Sequence, residues 1–147
     1  MDSIYTDASV STNVAAITHV VLSDNMFIGY NYMIVPTVYK SHLGELVSIR
    51  EGLKYYHSLN RMSTCVTVFT DSDKAIEILD RPLSETMGIA NKVCKEIKEL
   101  CELCNATIEH YVGHQAGPNP NQIADAVSHA VLRGVLRRGE KYEQVKV

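Results

Sequence analysis

Apolar positions in the first third of the chain recur at every second residue or fill short runs, a pattern typical of β-strands. Three such runs cover Ser3–Ser9, Asn13–Leu22 and Met26–Val35, with a polar turn before the third. Strands that follow one another so closely predict an antiparallel meander. Pro36 ends the third run, because proline donates no N–H to a sheet.

From Ser41 the apolar period changes to that of a helix, which we expect to continue to about Ser58. Three small residues recur in it at every fourth position: Gly44, Ser48 and Gly52. A ridge of small side chains lets a helix approach a sheet closely. Glu45 borders this ridge, so the sequence predicts that its carboxylate reaches the sheet.

The rest of the chain alternates strands with helices. Cys65–Thr70 is almost entirely apolar, which indicates a central parallel strand buried on both faces. The remaining predicted elements are helices at about Ser72–Leu79 and Ser84–Leu103, a strand at Ala106–Val112 and a helix at about Asn121–Leu136. This order predicts one α/β domain over residues 1–147, with a five-stranded mixed sheet, helices on both faces and a charged tail from about residue 137.

Composition narrows the function only slightly. The chain has 147 residues and a net charge of −3, which gives no general attraction to nucleic acid. Any such affinity must be local or carried by metal ions. We see neither a membrane-length apolar run nor a signal-peptide pattern, so we expect a cytoplasmic protein. The four cysteines are expected to be buried, reduced thiols, because the two in Cys101-Glu102-Leu103-Cys104 lack a second pair of zinc ligands.

Four acids stand within or at the end of apolar stretches: Asp7, Glu45, Asp71 and Asp125. Singly, Asp71 is also explained as a helix cap, Asp125 as a first-turn acid and Glu45 as a solvated helix residue. Together they would repel one another, and divalent cations are the simplest remedy. Hard oxygen ligands suit Mg²⁺ or Mn²⁺, and two such ions are able to promote phosphodiester cleavage.

On these residues the chain resembles the ribonuclease H family over nearly its whole length. The resemblance depends on several short motifs that occur in order on a matching pattern of elements. These motifs are Tyr5-Thr6-Asp7-Ala8-Ser9, Gly44-Glu45-Leu46 with Gly52-Leu53, Phe69-Thr70-Asp71-Ser72, Val112-Gly113-His114, and Asn121 with Ala124-Asp125-Ala126.

The resemblance implies an endonuclease that hydrolyses the RNA strand of an RNA–DNA hybrid with two Mg²⁺ ions, or Mn²⁺ in their place. Asp7 would bridge the two ions, and Asp125 would share the ion that activates water. Glu45 and Asp71 would share the ion that stabilises the leaving 3′ oxygen. His114, on a loop rich in glycine and proline, would assist proton transfer or product release.

The resemblance also suggests how the hybrid is held. Ala8, Ser9, Asn13 and Asn121 are the expected substrate contacts. The sequence departs from many family members in having no glycine-rich stretch after Asp7 and no basic, Trp-containing insertion. We therefore expect weak, salt-sensitive binding of the hybrid, no membrane association and no obligate protein partner.

Two other functions remain open at this stage. One is a different nuclease or strand-transfer enzyme of the same fold, although the exonuclease pattern Asp-x-Glu is absent at Asp7-Ala8-Ser9. The other is a non-catalytic module of the ribonuclease H fold that binds nucleic acid or a protein. Cleavage of matched RNA–DNA, RNA–RNA and DNA–DNA duplexes with and without metal would separate them.

Overall fold

The computed structural model describes residues 1–11, 14–24, 26–36, 41–61, 65–111, 123, 124 and 133. Within them lie five strands: β1 (Asp2–Val10), β2 (Val14–Ser23), β3 (Met26–Pro36), β4 (Val66–Thr70) and β5 (Ala106–His110). Three α-helices accompany them: α1 (Ser41–Ser58), α2 (Asp73–Asp80) and α3 (Gly88–Cys104). Residues 123, 124 and 133 are also helical.

The strands form one mixed sheet in the order β3-β2-β1-β4-β5. β1 to β3 are an antiparallel meander, whereas β4 pairs in parallel with β1 on one side and with β5 on the other. This arrangement confirms the predicted fold class. It also places the carboxyl ends of β1 and β4 at one edge of the sheet, the usual position of ligand sites in α/β folds.

Helices cover the sheet on both faces. The main core lies between one face and helices α1, α2 and α3, and it includes Ile4, Val68, Leu46, Ile78 and Ile97. On the opposite face the helical residue Ala124 is buried against Val20 and Leu22. Strand β2 is consequently buried along its length up to Leu22, because both of its faces are covered.

The predicted ridge of small residues on α1 makes the closest helix–sheet contact. A Cβ atom at Gly44 would lie 3.1 Å from a methyl group of Val10, and one at Gly52 would lie 3.1 Å from the Thr6 methyl group. Between them, the Ser48 hydroxyl reaches backbone carbonyls of the sheet. Larger side chains at these positions would force α1 away from β1.

The predicted start of the third helix was wrong. We expected it at Ser84, but α3 begins at Gly88 after a 3-10 turn over Leu83–Glu85. Gly88 has a φ of +66°, a left-handed conformation that interrupts any helix continuing through it. The Asn91 side chain donates to the carbonyls of Leu83 and Thr86 and fixes this turn onto α3.

Two further expectations concern the thiols and the membrane. No disulfide joins the four cysteines, which all lie within the described residues; Cys94 is buried, and Cys65, Cys101 and Cys104 are half-buried. Burial raises the pKa of the Cys101 thiol to about 11, so the reactive thiolate is scarce near neutral pH. Within the described residues, no helix is long and apolar enough to span a membrane.

Candidate metal centre

The parallel pairing of β1 with β4 sets the first two acids side by side. The last paired positions in this ladder are Tyr5 and Phe69, and each acid lies two residues further along its own strand direction. The Thr6 hydroxyl donates to the carbonyl oxygen of Phe69 at 3.3 Å, which fixes the register next to the site. Asp7 and Asp71 therefore reach the same edge of the sheet.

Helix α1 brings the third acid to this edge. The Ser48 hydroxyl lies 2.9 Å from the backbone oxygen of Asp7 and 3.1 Å from that of Thr18. One hydroxyl thus joins α1 to both β1 and β2. Glu45 precedes Ser48 by about one helical turn, so this contact also fixes the position of the Glu45 backbone above Asp7.

Asp71 is positioned by the turn between β4 and α2. The backbone N–H of Ser72 donates to the Thr70 hydroxyl at 3.2 Å, and the Ser72 hydroxyl accepts from the N–H of Ala75 as the cap of α2. On the other side of Thr70, its carbonyl accepts from the N–H of Tyr111 at 2.7 Å. The turn that carries Asp71 is thus held on both sides.

The structure brings three of the four predicted acids into one cluster. One carboxylate oxygen from each of Asp7, Glu45 and Asp71 lies within 4.8 Å of the other two. Asp7 is buried, Glu45 is half-buried and Asp71 is exposed, so the cluster opens from the interior to the surface. Three carboxylates at this separation repel one another, and they form a set of hard oxygen donors suited to a divalent cation.

The residues proposed to contact substrate on β1 lie directly beside Asp7. Ser9 is buried, and the side chain of Ala8 packs against the core near Gly44. In the described sheet the ladder with β4 ends at Tyr5, while β1 continues to Val10 paired only with β2. Beyond Tyr5, the side of β1 that faces away from β2 therefore pairs with no other strand among the described residues.

A close polar contact between β5 and the start of α2 was not predicted from the sequence. His110 Nε2 lies 3.0 Å from Asp73 Oδ1. The pair forms because His110 is opposite Thr70 in the parallel β4–β5 ladder, which brings it to the start of α2. Sequence alone gave no reason to single out His110, since the register between two separate strands is a tertiary property.

Aromatic rings support the sheet just behind the cluster. The rings of Tyr5 and Phe69 stack with their centroids 4.9 Å apart, and Tyr111 meets Tyr5 edge to face at 5.5 Å. Tyr5 and Phe69 each precede a cluster acid by two positions. Their stacking adds packing energy to the strand pair that holds Asp7 beside Asp71.

Four predicted site residues lie outside the described residues. They are Asn13, His114, Asn121 and Asp125. Their assignments stay predictions. Three lysines of α3 lie at or near its surface. Lys92 and Lys95 are exposed, and the ammonium of half-buried Lys98 lies 3.5 Å from the Arg81 carbonyl oxygen.

Comparison with known proteins finds similarity in structure only. No protein-family model matches the sequence, and no curated protein matches it. LC11-RNase H1, solved in complex with an RNA/DNA hybrid, is 14% identical with a TM-score of 0.76, over 92% of this chain and 99% of that one. The N-terminal RNase H domain of Rv2228c from Mycobacterium tuberculosis is 16% identical with a TM-score of 0.75, over 95% and 98%.

A third solved structure agrees with these two. RNase H1 from the halophilic archaeon Halobacterium salinarum is 15% identical with a TM-score of 0.67, over 89% of this chain and 96% of that one. The chain therefore has the ribonuclease H fold. At identities this low the similarity establishes the fold, and function must be argued from the site.

Proposed function

We propose that the protein is a metal-dependent endonuclease that hydrolyses the RNA strand of RNA–DNA hybrids, leaving 5′-phosphate and 3′-hydroxyl ends. The observation that carries the proposal is the convergence of Asp7, Glu45 and Asp71 within 4.8 Å, each from a different element of the fold. The similarity to ribonuclease H structures, one of them a hybrid complex, supports the choice of substrate.

The donor set fits a divalent cation. Asp7, Glu45 and Asp71 supply only carboxylate oxygens, the ligands that Mg²⁺ and Mn²⁺ favour. We assign these three residues, with Asp125 as the fourth, to a site for two ions. When bound, the ions would supply Lewis acidity that activates water and stabilises the leaving oxygen.

The chain's own groups would hold the substrate and position the acids. Ser48 fixes α1 on the sheet and so orients Glu45 toward Asp7. Ala8 and Ser9 beside Asp7, with Asn13 and Asn121, would contact the hybrid. His114 would move a proton near the leaving group, a role suited to an imidazole that titrates close to neutral pH.

The decisive experiment compares three duplexes and three metal conditions. Purified protein is incubated with matched RNA–DNA, RNA–RNA and DNA–DNA duplexes in Mg²⁺, Mn²⁺ or EDTA, and product ends are mapped. We expect cleavage of the RNA strand of the hybrid in the presence of metal only. Equal cleavage in EDTA, or a preference for duplex DNA, would contradict the proposal, and absence of all cleavage would favour a non-catalytic binding module.

A metal titration tests the site without relying on activity. Ligand at about 100 times its dissociation constant stabilises a fold by about 2.7 kcal/mol, so Mg²⁺ should raise the melting temperature of the wild type. Asp71→Asn should lose most of this increase. Asp80→Asn is the matched control, since Asp80 is an exposed acid at the end of α2 and its substitution changes the charge equally.

His114 is tested separately. His114→Ala is expected to slow cleavage by roughly ten- to a thousand-fold and to alter the pH–rate profile, because general acid–base assistance would be removed. The Mg²⁺-induced rise in melting temperature should persist in this variant. An unchanged rate and profile would return His114 to the role of an ordinary loop residue.

A further inference from the structure

Strand β3 lies at an edge of the sheet and carries no charged residue. It pairs with β2 on one side, and no other described strand pairs with its outer side. Its sequence, MFIGYNYMIVP, contains no Asp, Glu, Lys, Arg or His. Natural edge strands usually carry charges that prevent pairing with another chain. A neutral edge of eleven residues is therefore open to such pairing.

The backbone groups on this outer side are identified by one hydrogen bond. The N–H of Tyr32 donates to the side-chain oxygen of Asn31 at 2.9 Å, so it is not used in the ladder with β2. In an antiparallel strand, alternate residues point both N–H and C=O to the same side. Tyr30, Tyr32 and Ile34 therefore present their backbone groups to the outer edge.

Large apolar side chains are exposed along the same strand. Met26, Phe27, Ile28, Tyr30 and Tyr32 are exposed by 71, 58, 38, 51 and 50%. The register described below pairs only residues 28–36, so Ile28, Tyr30 and Tyr32 are the exposed side chains that it brings to the interface. At about 200 Å² for a large side chain, they offer about 280 Å² per molecule, or about 560 Å² when two copies meet. This area is below that of a standard interface, so we expect only a weak, reversible dimer.

We propose that two copies of the chain pair antiparallel through their β3 strands, with the two-fold axis at Tyr32. In this register Tyr32 lies opposite Tyr32 of the second copy, and Tyr30 lies opposite Ile34. Cross-strand pairs of aromatic and β-branched residues stabilise antiparallel ladders. The two sheets become one continuous sheet of ten strands, twice the five of one copy.

The same register accommodates the irregular positions of the strand. Pro36 has no N–H, and it falls opposite Ile28 of the second copy. Ile28 lies at the point where the β2–β3 register shifts, between the pairs Val21–Gly29 and Leu22–Phe27. The missing donor therefore meets a bulge, where the ladder is already interrupted.

Asn31 limits the affinity of this dimer. Its side chain must release the N–H of Tyr32 before that group is able to bond to the second copy. With a small interface and this competition, we expect a dissociation constant on the order of 100 μM. Asn31→Val removes the competing acceptor and should tighten association several-fold.

Sedimentation velocity from about 5 μM to 1 mM tests the proposal, since this range spans the expected dissociation constant. The wild type should shift from monomer to dimer. Tyr32→Lys brings two ammonium groups together at the axis and should weaken association at least about tenfold. Leu103→Lys, at another exposed apolar position near the end of α3, should leave it unchanged.

Amide hydrogen exchange on the wild type keeps the proposal testable even if Tyr32→Lys fails to fold. The N–H groups of Tyr30, Tyr32 and Ile34 should become protected as concentration rises. Protection of these groups in the dilute monomer would mean that another segment of this chain covers the edge, and would overturn the proposal. So would a monomer at the highest concentration, or a dimer that Tyr32→Lys leaves intact.

Discussion

Strand β1 carries a buried carboxylate near each end, and the surroundings of the two are opposite. Asp2 accepts hydrogen bonds from Arg61 Nε at 2.7 Å and from the Tyr56 hydroxyl at 2.8 Å. Asp7 instead lies within 4.8 Å of the carboxylates of Glu45 and Asp71. The fold thus surrounds one buried carboxylate with hydrogen-bond donors and a cation, and places two further carboxylates beside the other.

The pKa of Asp2 shows how the groups around this carboxylate affect its charge. Burial alone would raise the pKa of Asp2, but hydrogen bonds from Arg61, Ser23 and Tyr56 hold it below its ordinary value. The charged form is therefore favoured in the native state and stabilises the fold. At Asp7 the neighbouring carboxylates of Glu45 and Asp71 add a repulsive term. This difference separates a structural carboxylate from one arranged for a cation.

Replacing Asp7 or Asp2 with asparagine should give the largest difference between the two sites, in both turnover and stability. Asp7→Asn is expected to cut turnover by at least about 100-fold, while apo stability rises by about 1 kcal/mol because repulsion is relieved. Asp2→Asn should lose about 2 kcal/mol of stability and keep the turnover of its folded fraction. Urea unfolding without divalent ions and hybrid-cleavage assays at low temperature measure both.

The test depends on two stability changes of opposite sign: Asp7→Asn should raise the free energy of unfolding of the apo protein, and Asp2→Asn should lower it. If Asp7→Asn destabilises the protein as Asp2→Asn does, then Asp7 is also a structural partner. If Asp7→Asn retains nearly full turnover, the metal assignment is wrong.

A third buried group, His19 on β2, should make the stability of the fold depend on pH. His19 pairs with Thr6 across β1 and β2, and neither ring nitrogen has a hydrogen-bond partner among the described residues. Burial lowers its pKa from 6.5 to about 4. Between these two pH values His19 binds a proton in the unfolded chain but not in the native fold. The free energy of unfolding should therefore fall by about 3 kcal/mol as the pH drops across this interval.

Chemical denaturation between pH 4 and 7 checks this contribution. His19→Leu should flatten the acid-dependent loss, and His57→Leu, at an exposed position on α1, should leave it unchanged. Asp2 acts at lower pH. Because its native pKa lies below the ordinary value of 3.8, its contribution is full above that pH and declines only as the pH falls further. Equal acid sensitivity in His19→Leu and the wild type would contradict the assignment.

The smallest effect is expected at the contact that positions Glu45. Ser48→Ala removes the hydroxyl between α1 and two sheet carbonyls, and should cost about 1 kcal/mol of stability and roughly threefold to tenfold in turnover. Ser58→Ala is the control on the same helix, because its hydroxyl donates to the Tyr55 carbonyl at an exposed site. Parallel unfolding and cleavage measurements should show no turnover change in Ser58→Ala, and equal effects in both variants would contradict the positioning role.

The sequence was sufficient for features that depend on periodicity. The bounds of α1, Ser41–Ser58, match the prediction, because its apolar stripe and small-residue ridge are local patterns. The apolar run before Asp71 predicts a central parallel strand, and the structure pairs β4 in parallel with β1 and β5. That β1 is its neighbour is a condition of the predicted cluster, which the structure meets. The convergence of the three acids was an inference from these two results, and the geometry agrees with it.

Features that depend on contacts between distant segments were not predictable in this way. The start of α3 is set by the left-handed Gly88 and by Asn91 bonding back to Leu83. The contact of His110 Nε2 with Asp73 depends on the β4–β5 register. The sequence pattern predicts β3 only as a strand. Its position at the edge depends on the order of all the strands in the sheet, which the pattern does not specify.

The pairing of β1 with β4 has a consequence for how the protein is made. Thr6 and Phe69, which hydrogen-bond beside the site, are separated by 63 positions in the chain. Closing a loop of this length costs conformational entropy, which slows folding that depends on such contacts. A nascent chain emerging from the ribosome therefore carries no assembled acid cluster until β4 has left the exit tunnel. Until then, Asp7 is an ordinary acid in an incomplete sheet.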